Sequence, residues 1–380
     1  MILSIIFSIF LVQYYCDGRT ATDIDDISAD LDVIRTKYHM PGLSALAMKN
    51  GRIVAQGASG YRRQDYPTPL LADDYINIGS CTKWMTATLA GRLVDRQLLK
   101  WTIQINECFP NYKSFNEAFH NMTLEEFLAH RSGVADSDTF FTRHADEFLA
   151  QNGTYREIRY WTAETILKDE PQVKPGEYLY SNQGYAVAAA MMEQVTNKDW
   201  ESLMQEYIFN PLDMTETTIR IAYNGTTPPQ SPAGHVLPKN STLLVLFPIL
   251  SPTMIHNHEA ATGPGGFVAT TLQDWVKFLY AHITAESTGF LSADTAAKLK
   301  RPFIGLEGYG LGVAVFNRTW ATPGQALMHG GDIAGQDSIF WMTPARDGIA
   351  VAYTNCASED TSTASALDET SGLLVDRYIA

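Results

Sequence analysis

The sequence predicts an α+β fold. One antiparallel sheet is assembled from both ends of the chain and flanked by helices, and a mainly helical lobe is inserted between its two halves. Three observations predict this. Strand-like runs cluster at 42–63 and again from 309 onward, helix-like runs fill most of 100–300, and no repeat is visible at a period of 20–50 residues. The 380 residues are 45% hydrophobic and 18% charged, a globular composition long enough to bury a large core without disulfide or metal. Lys and Arg number 28 against 42 Asp and Glu, a formal charge of −14. That field repels phosphate backbones and argues against nucleic acid as a partner.

In chain order, residues 1–12 (MILSIIFSIFLV) are apolar. They are too short to span a bilayer, which takes about 20 residues, but fit the h-region of a secretory signal. Cys16 and Gly18 are the small residues expected before a cut after Gly18. The basic n-region is missing, and a retained anchor is the alternative. Sequons at Asn121, Asn152, Asn224, Asn240 and Asn317 also point to export, as a glycoprotein with these asparagines on surface loops. Residues 17–30 are polar, acidic and expected to be flexible, and 30–38 read as the end of a helix. The stretch 42–63 reads as a hairpin turning at Lys49-Asn50-Gly51, because Asn-Gly favours the tight hairpin turn. A helix over 80–96 is followed by helical patterns at 123–130, 164–168, 184–196, 200–208 and 271–283. Strands return as YGLGVAVFN, QALMHGG, QDSIFWMT and DGIAVAYTN, and a helical pattern at 361–378 closes the chain.

The chemistry concentrates in three short elements. Ser80-Cys81-Thr82-Lys83 opens the helix at 80–96. Three residues apart on a helix, Ser80 and Lys83 share a face. The orphan N–H groups of the first turn favour negative charge developing on Ser80 Oγ. Apolar neighbours lower the pKa of Lys83, so that it accepts the serine proton. S-x-x-K alone is expected about once by chance, so the reading rests on its company. Tyr180-Ser181-Asn182 supplies a phenol whose ionisation a neighbouring ammonium eases, and an amide able to hold a substrate carbonyl. His329-Gly330-Gly331-Asp332 lies on a predicted strand, where two glycines admit a substrate backbone and expose N–H groups. The backbone N–H groups of Ser80 and Asp332 then form a candidate oxyanion hole.

The order S-x-x-K, Y-x-N, H-x-G resembles the penicillin-recognising serine hydrolases, and most of all the class C β-lactamase branch with its D-aminopeptidases and esterases. Leu124–Val134, Gly176–Tyr185, Asn210–Thr217 and Gly265–Thr271 are similar to further segments of that branch, so the resemblance spans about 30–380. It implies a β-lactamase/transpeptidase-like fold, with a sheet lobe at about 30–79 and 300–380 and a helical lobe at about 80–299. It also implies Ser80 as acylated nucleophile, Lys83 and Tyr180 as coupled general base, and Asn182 positioning substrate or Lys83. His329, Gly330 and Gly331 line the substrate, with no metal or cofactor. Lactamases proper usually carry Lys-Thr-Gly on the third strand. His329 offers no fixed cation there, so a penicillin carboxylate should be poorly held. The expectation is a secreted serine hydrolase acting on a small-molecule ester, amide or peptide through an acyl-enzyme, without stable membrane insertion once a signal is removed. A β-lactamase or D,D-peptidase, an acyltransferase and a catalytically idle binding protein are the alternatives.

Other residues read more plainly. No G-x-S-x-G elbow is present. His130 reads as a structural histidine of the helical lobe, and Cys81 as a small core hydrophobe. His256-Asn257-His258 is a potential metal pair, but without a suitable carboxylate it reads as a solvated loop. A Cys108–Cys356 disulfide is open to an exported chain. The apolar run Leu243–Leu250 is either an acyl pocket over the cleft or lobe core.

Overall fold

The computed structural model describes residues 24–223, 225–303, 305 and 308–380. The expected signal at 1–18, with Cys16, lies outside them, as does Asn224. The main sheet contains β1 (Asp25–Asp26), β2 (Gly42–Lys49), β3 (Arg52–Arg63), β4 (Tyr66–Pro69), β5 (Gly308–Tyr309), β6 (Ala314–Phe316), β7 (Ala326–Ile333), β8 (Gln336–Thr343) and β9 (Gly348–Thr354). Its order is β1-β3-β2-β9-β8-β7-β6-β5, with β4 hooked onto β3. Except for the parallel β1–β3 pair, every pairing is antiparallel. The two chain ends meet at the centre of the sheet, where β2 pairs with β9 and Leu46 faces Val351. The hairpin at Asn50-Gly51 turns with φ of 51° and 72°, the left-handed pair that a two-residue turn requires.

Both faces of the sheet are covered, and the side chains alternate by size. On β2 and β9, Leu46, Met48, Ile349, Val351 and Tyr353 enter the main core, whereas Ala45, Ala47, Ala350 and Ala352 face the terminal helices. Those are α1 (Ser28–Lys37) and a C-terminal helix, Ser362–Leu374. On the main-core face lie α2 (Thr82–Asp95), α3 (Ser137–Leu149), α4 (Tyr155–Lys168), α5 (Asn182–Thr196), α6 (Pro252–Gly266) and α7 (Leu272–Ile283). The terminal helix Ser362–Leu374 is α8. Trp84 of α2 stacks on Phe340 of β8 at 5.4 Å and meets Phe278 of α7 edge-on.

Four expectations need correction. Residues 25–29 are ordered, because Ile27, Leu31 and Ile34 recur at helical spacing and bury against the sheet. His256, Asn257 and His258 lie on α6, not in a loop. His256 Nε2 meets Gly153 O at 2.8 Å, His258 packs on Phe141 and Phe148, and no metal-ligand cluster exists among the described residues. Cys108 and Cys356 are both free, and they sit in two different core clusters. Leu243–Leu250 belongs neither to the core of the helical lobe nor to the cavity at Ser80, although Leu244 packs against the core on the terminal-helix face. Leu243 is 77% exposed, and Phe247–Leu250 line a separate small recess with Ile255 and Ala334. Asn121, Asn152, Asn240 and Asn317 are all exposed.

Candidate active site

Ser80 sits in the tight turn Gly79–Cys81 that leads into α2. Gly79 has φ of 48°, and a Cβ there would lie 2.6 Å from the backbone nitrogen of Asp332. The turn is therefore pressed against the edge of β7, and only glycine permits the approach. Cys81 points into the core, its Sγ 3.3 Å from His329 O, and burial pushes its thiol up to about 12.

One turn further on, Lys83 is fully buried. Its Nζ lies 2.5 Å from Asn182 Oδ1, 2.6 Å from Gly265 O and 3.0 Å from Ser80 Oγ. The tertiary fold brings these partners together. Gly265 stands in the last turn of α6, where carbonyls lack helical partners, and the neighbouring Pro264 O accepts from Thr86 Oγ1 at 2.7 Å. Asn182 opens α5, and its Nδ2 donates to Ser137 Oγ at 3.0 Å. Its amide is thus turned inward on both sides, toward Lys83 and Ser137. Burial holds Lys83 well below the usual lysine range. Carbonyl oxygens only accept, so the N–H groups of a neutral amine go to Asn182 and Gly265. The lone pair is left facing Ser80 Oγ.

Tyr180 lies with its ring centroid 4.6 Å from Lys83 Nζ. The expected easing of its ionisation does not occur. Burial raises its pKa, and a hydrogen bond with Ser80 only partly opposes this. The reason is desolvation, which drives the phenol and the amine both toward their neutral forms. His130 props this segment, as read: its Nδ1 accepts from Ser181 N–H at 3.1 Å, and its ring lies 4.3 Å from that of Tyr180.

His329 on β7 is buried. Its Nδ1 donates to Gly330 O at 2.5 Å, so Nε2 accepts from Tyr309 OH at 2.8 Å. Burial, helped by nearby Lys83, lowers its pKa to about 3, and the imidazole is neutral. The edge of β7 follows from its register. The turn Ala334-Gly335 (φ 51° and 72°) closes on the pair Ile333–Gln336, which by hairpin geometry exchanges both hydrogen bonds. Counting back, Asp332 and Gly330 point their N–H groups away from β8, toward Ser80. Gly331 takes its glycine from packing, since a Cβ would meet Ile78 O at 2.1 Å.

The sequence reading missed Gly265, Ser137 and Tyr309. Gly265 stood in a segment quoted for the family resemblance and Tyr309 in a predicted strand, but nothing local marks the Gly265 carbonyl as a lysine partner or the Tyr309 hydroxyl as a histidine partner. Ser80, Tyr180 and His329–Asp332 line one end of an open cavity of about 780 Å3, with no Lys or Arg among the described residues of its lining.

The fold and this constellation define a serine hydrolase by class. The sequence pattern of the Beta-lactamase family matches residues 24–370, and the chain belongs to that family. It is 26% identical over 353 residues to Penicillin-binding protein 4 of Amycolatopsis lactamdurans, covering 85% of this chain and 83% of that one. Among solved structures it resembles the D-amino acid amidase from Ochrobactrum anthropi SV3 complexed with L-phenylalanine. The TM-score is 0.70 at 20% identity, over 92% of this chain and 98% of the other. It also resembles EstCE1, a hydrolase with promiscuous acyltransferase activity, with a TM-score of 0.73 at 17% identity, over 90% and 98% of the two chains. These last two likenesses are of fold.

Proposed function

We propose that the protein is an exported esterase or amidase that works through an acyl-enzyme on Ser80. The observation that carries this reading is the fixed orientation of Lys83, whose two acceptor-only partners leave its lone pair for Ser80 Oγ. Ser80 gives its proton to Lys83 Nζ as Oγ attacks the carbonyl carbon. The carbonyl electron pair moves to oxygen, where the N–H groups of Ser80 and Asp332 receive it. Collapse breaks the bond to the leaving oxygen or nitrogen, and the proton returns from Lys83 through Tyr180 OH to that atom. Tyr180 therefore acts as a neutral relay rather than as a phenolate. Water then reverses the route, giving up its proton to the same pair as it attacks the acyl ester, and the free acid leaves. Export is supported by the apolar run at 1–12 and by the exposed sequon asparagines. The neutral His329 and the absence of Lys or Arg from the cavity lining favour this reading over a dedicated penicillin hydrolase.

The test is labelling with a fluorophosphonate probe. The natural chain should label on Ser80, and Ser80→Ala should abolish labelling and lower ester turnover by about 10⁶. Labelling that survives in folded Ser80→Ala would sink the assignment.

A further inference from the structure

The cavity runs past the nucleophile. From Ser80 and Tyr180 it crosses β7 onto the face of β8 and ends against the first turns of α8, at Ala364 and Leu367. Its floor is apolar, formed by Met328, Ile339 and Trp341. Lys83 and Asn182 do not line it. Of the two proton-carrying groups beside Ser80, Lys83 and Tyr180, it is Tyr180, the proton donor to the leaving atom, that borders this groove.

The entrance is Gly330. Its missing side chain would stand on the same sheet face as its cross-strand partner Ile339. A Cβ there would meet nothing nearer than Ser338 O at 3.8 Å. Gly330 lies within a strand and is not among the residues of positive φ. Neither packing nor backbone strain explains the glycine, in contrast to Gly331 beside it. The gap instead opens Ser80 to the groove.

The groove is also charged in one sense. Asp332 and Asp337 face each other directly across β7 and β8, and Asp368 adds a third carboxylate from α8. Like charges placed opposite on a sheet repel. Among the described residues none of the three has an ion-pair partner, and Asp337 Oδ1 is buried without a hydrogen bond.

Resting on Ser80 as nucleophile, we propose that this groove binds the alcohol or amine half of the substrate, and that this half is a bulky apolar group, uncharged or cationic, lying over Gly330. The scissile bond breaks at the Ser80 end, and the departing alcohol or amine takes its proton from Tyr180 as it leaves along the groove.

The test is acetate release from acetyl esters of one alcohol series, from ethyl to naphthylmethyl, with one ammonium-tailed and one sulfonate-tailed member. The naphthylmethyl ester should exceed the ethyl ester in kcat/KM by about tenfold or more, and the ammonium tail should exceed the sulfonate by a similar factor. Gly330→Val should lower the naphthylmethyl-to-ethyl ratio about tenfold, with Gly330→Ala between. Ala364→Leu, which narrows the groove from its far wall, should lower the same ratio. Asp337→Asn should shrink the preference for the ammonium tail. An unchanged ratio in folded Gly330→Val and Ala364→Leu, or equal turnover of the two charged tails, overturns the proposal. Loss of the Ser80 assignment would show separately, as fluorophosphonate labelling that does not depend on Ser80.

Discussion

Asp337 carries an electrostatic cost that a pH titration can expose. Burial and the facing Asp332 raise its carboxyl to about 7, against about 3.9 for an unperturbed aspartate. A raised folded pKa means the native state binds the proton more tightly than the unfolded chain, so stability is lost as pH climbs from about 4 to 7. Asp337→Asn should raise Tm by roughly 2 °C at pH 8 and by nothing at pH 4.5, read by thermal unfolding; an equal shift at both values would contradict the assignment. At this scale much of the site was legible, because S-x-x-K, Y-x-N and H-x-G are local strings. What escaped was everything set by burial or by distant partners. No spacing tells that Gly265 O and Asn182 Oδ1 converge on Lys83, and the ionisation of Tyr180 was read in the wrong direction because its desolvation is a tertiary property.

Strand β7 and helix α6 carry the lesson at the scale of elements. The two glycines of β7 look alike in sequence but serve different needs, one giving room to Ile78 and the other to the groove. Gly331→Ala forces a Cβ against Ile78 O, and overpacking of this kind costs about 1–3 kcal/mol. Because the displaced backbone carries the Asp332 N–H, ester turnover should fall about 100-fold. Gly330→Ala should leave Tm near its natural value. Parallel melting and rate measurements on the two proteins check this, and a Gly331→Ala protein of full activity would refute the packing argument. Helix α6 went unread because its second half contains Gly263, Pro264, Gly265 and Gly266, which ordinarily break helices. Here that same irregular end supplies carbonyls to Thr86 and Lys83. The strands of β7–β9 and helix α8, by contrast, were legible from periodicity alone.

For the whole molecule, five of the nine histidines are held below their ordinary pKa by burial: His130, His235, His258, His282 and His329. A depressed imidazole pKa means the unfolded chain takes up protons that the native state refuses. Stability is complete above about pH 6.5 and is lost as pH falls toward about 3, the value for His329. The carboxyls of Asp74, Glu201, Asp332, Asp337 and Asp347, raised by burial, oppose this, but His130 and His282 are held well below their ordinary range. Tm should therefore drop steadily between pH 6.5 and 4, and a flat profile would show that the histidines are less enclosed than described. The meeting of the two chain ends at the centre of the sheet has a consequence in time. Leu46 and Val351, partners across β2 and β9, are about 300 residues apart. At 5–20 residues per second, a ribosome needs roughly 15–60 s between them. Through that interval β2 waits with an open edge, and β7, which carries one N–H of the proposed oxyanion hole, has not yet been made. The nascent enzyme is thus silent until synthesis is nearly finished, and its slowest contacts are the last to be encoded.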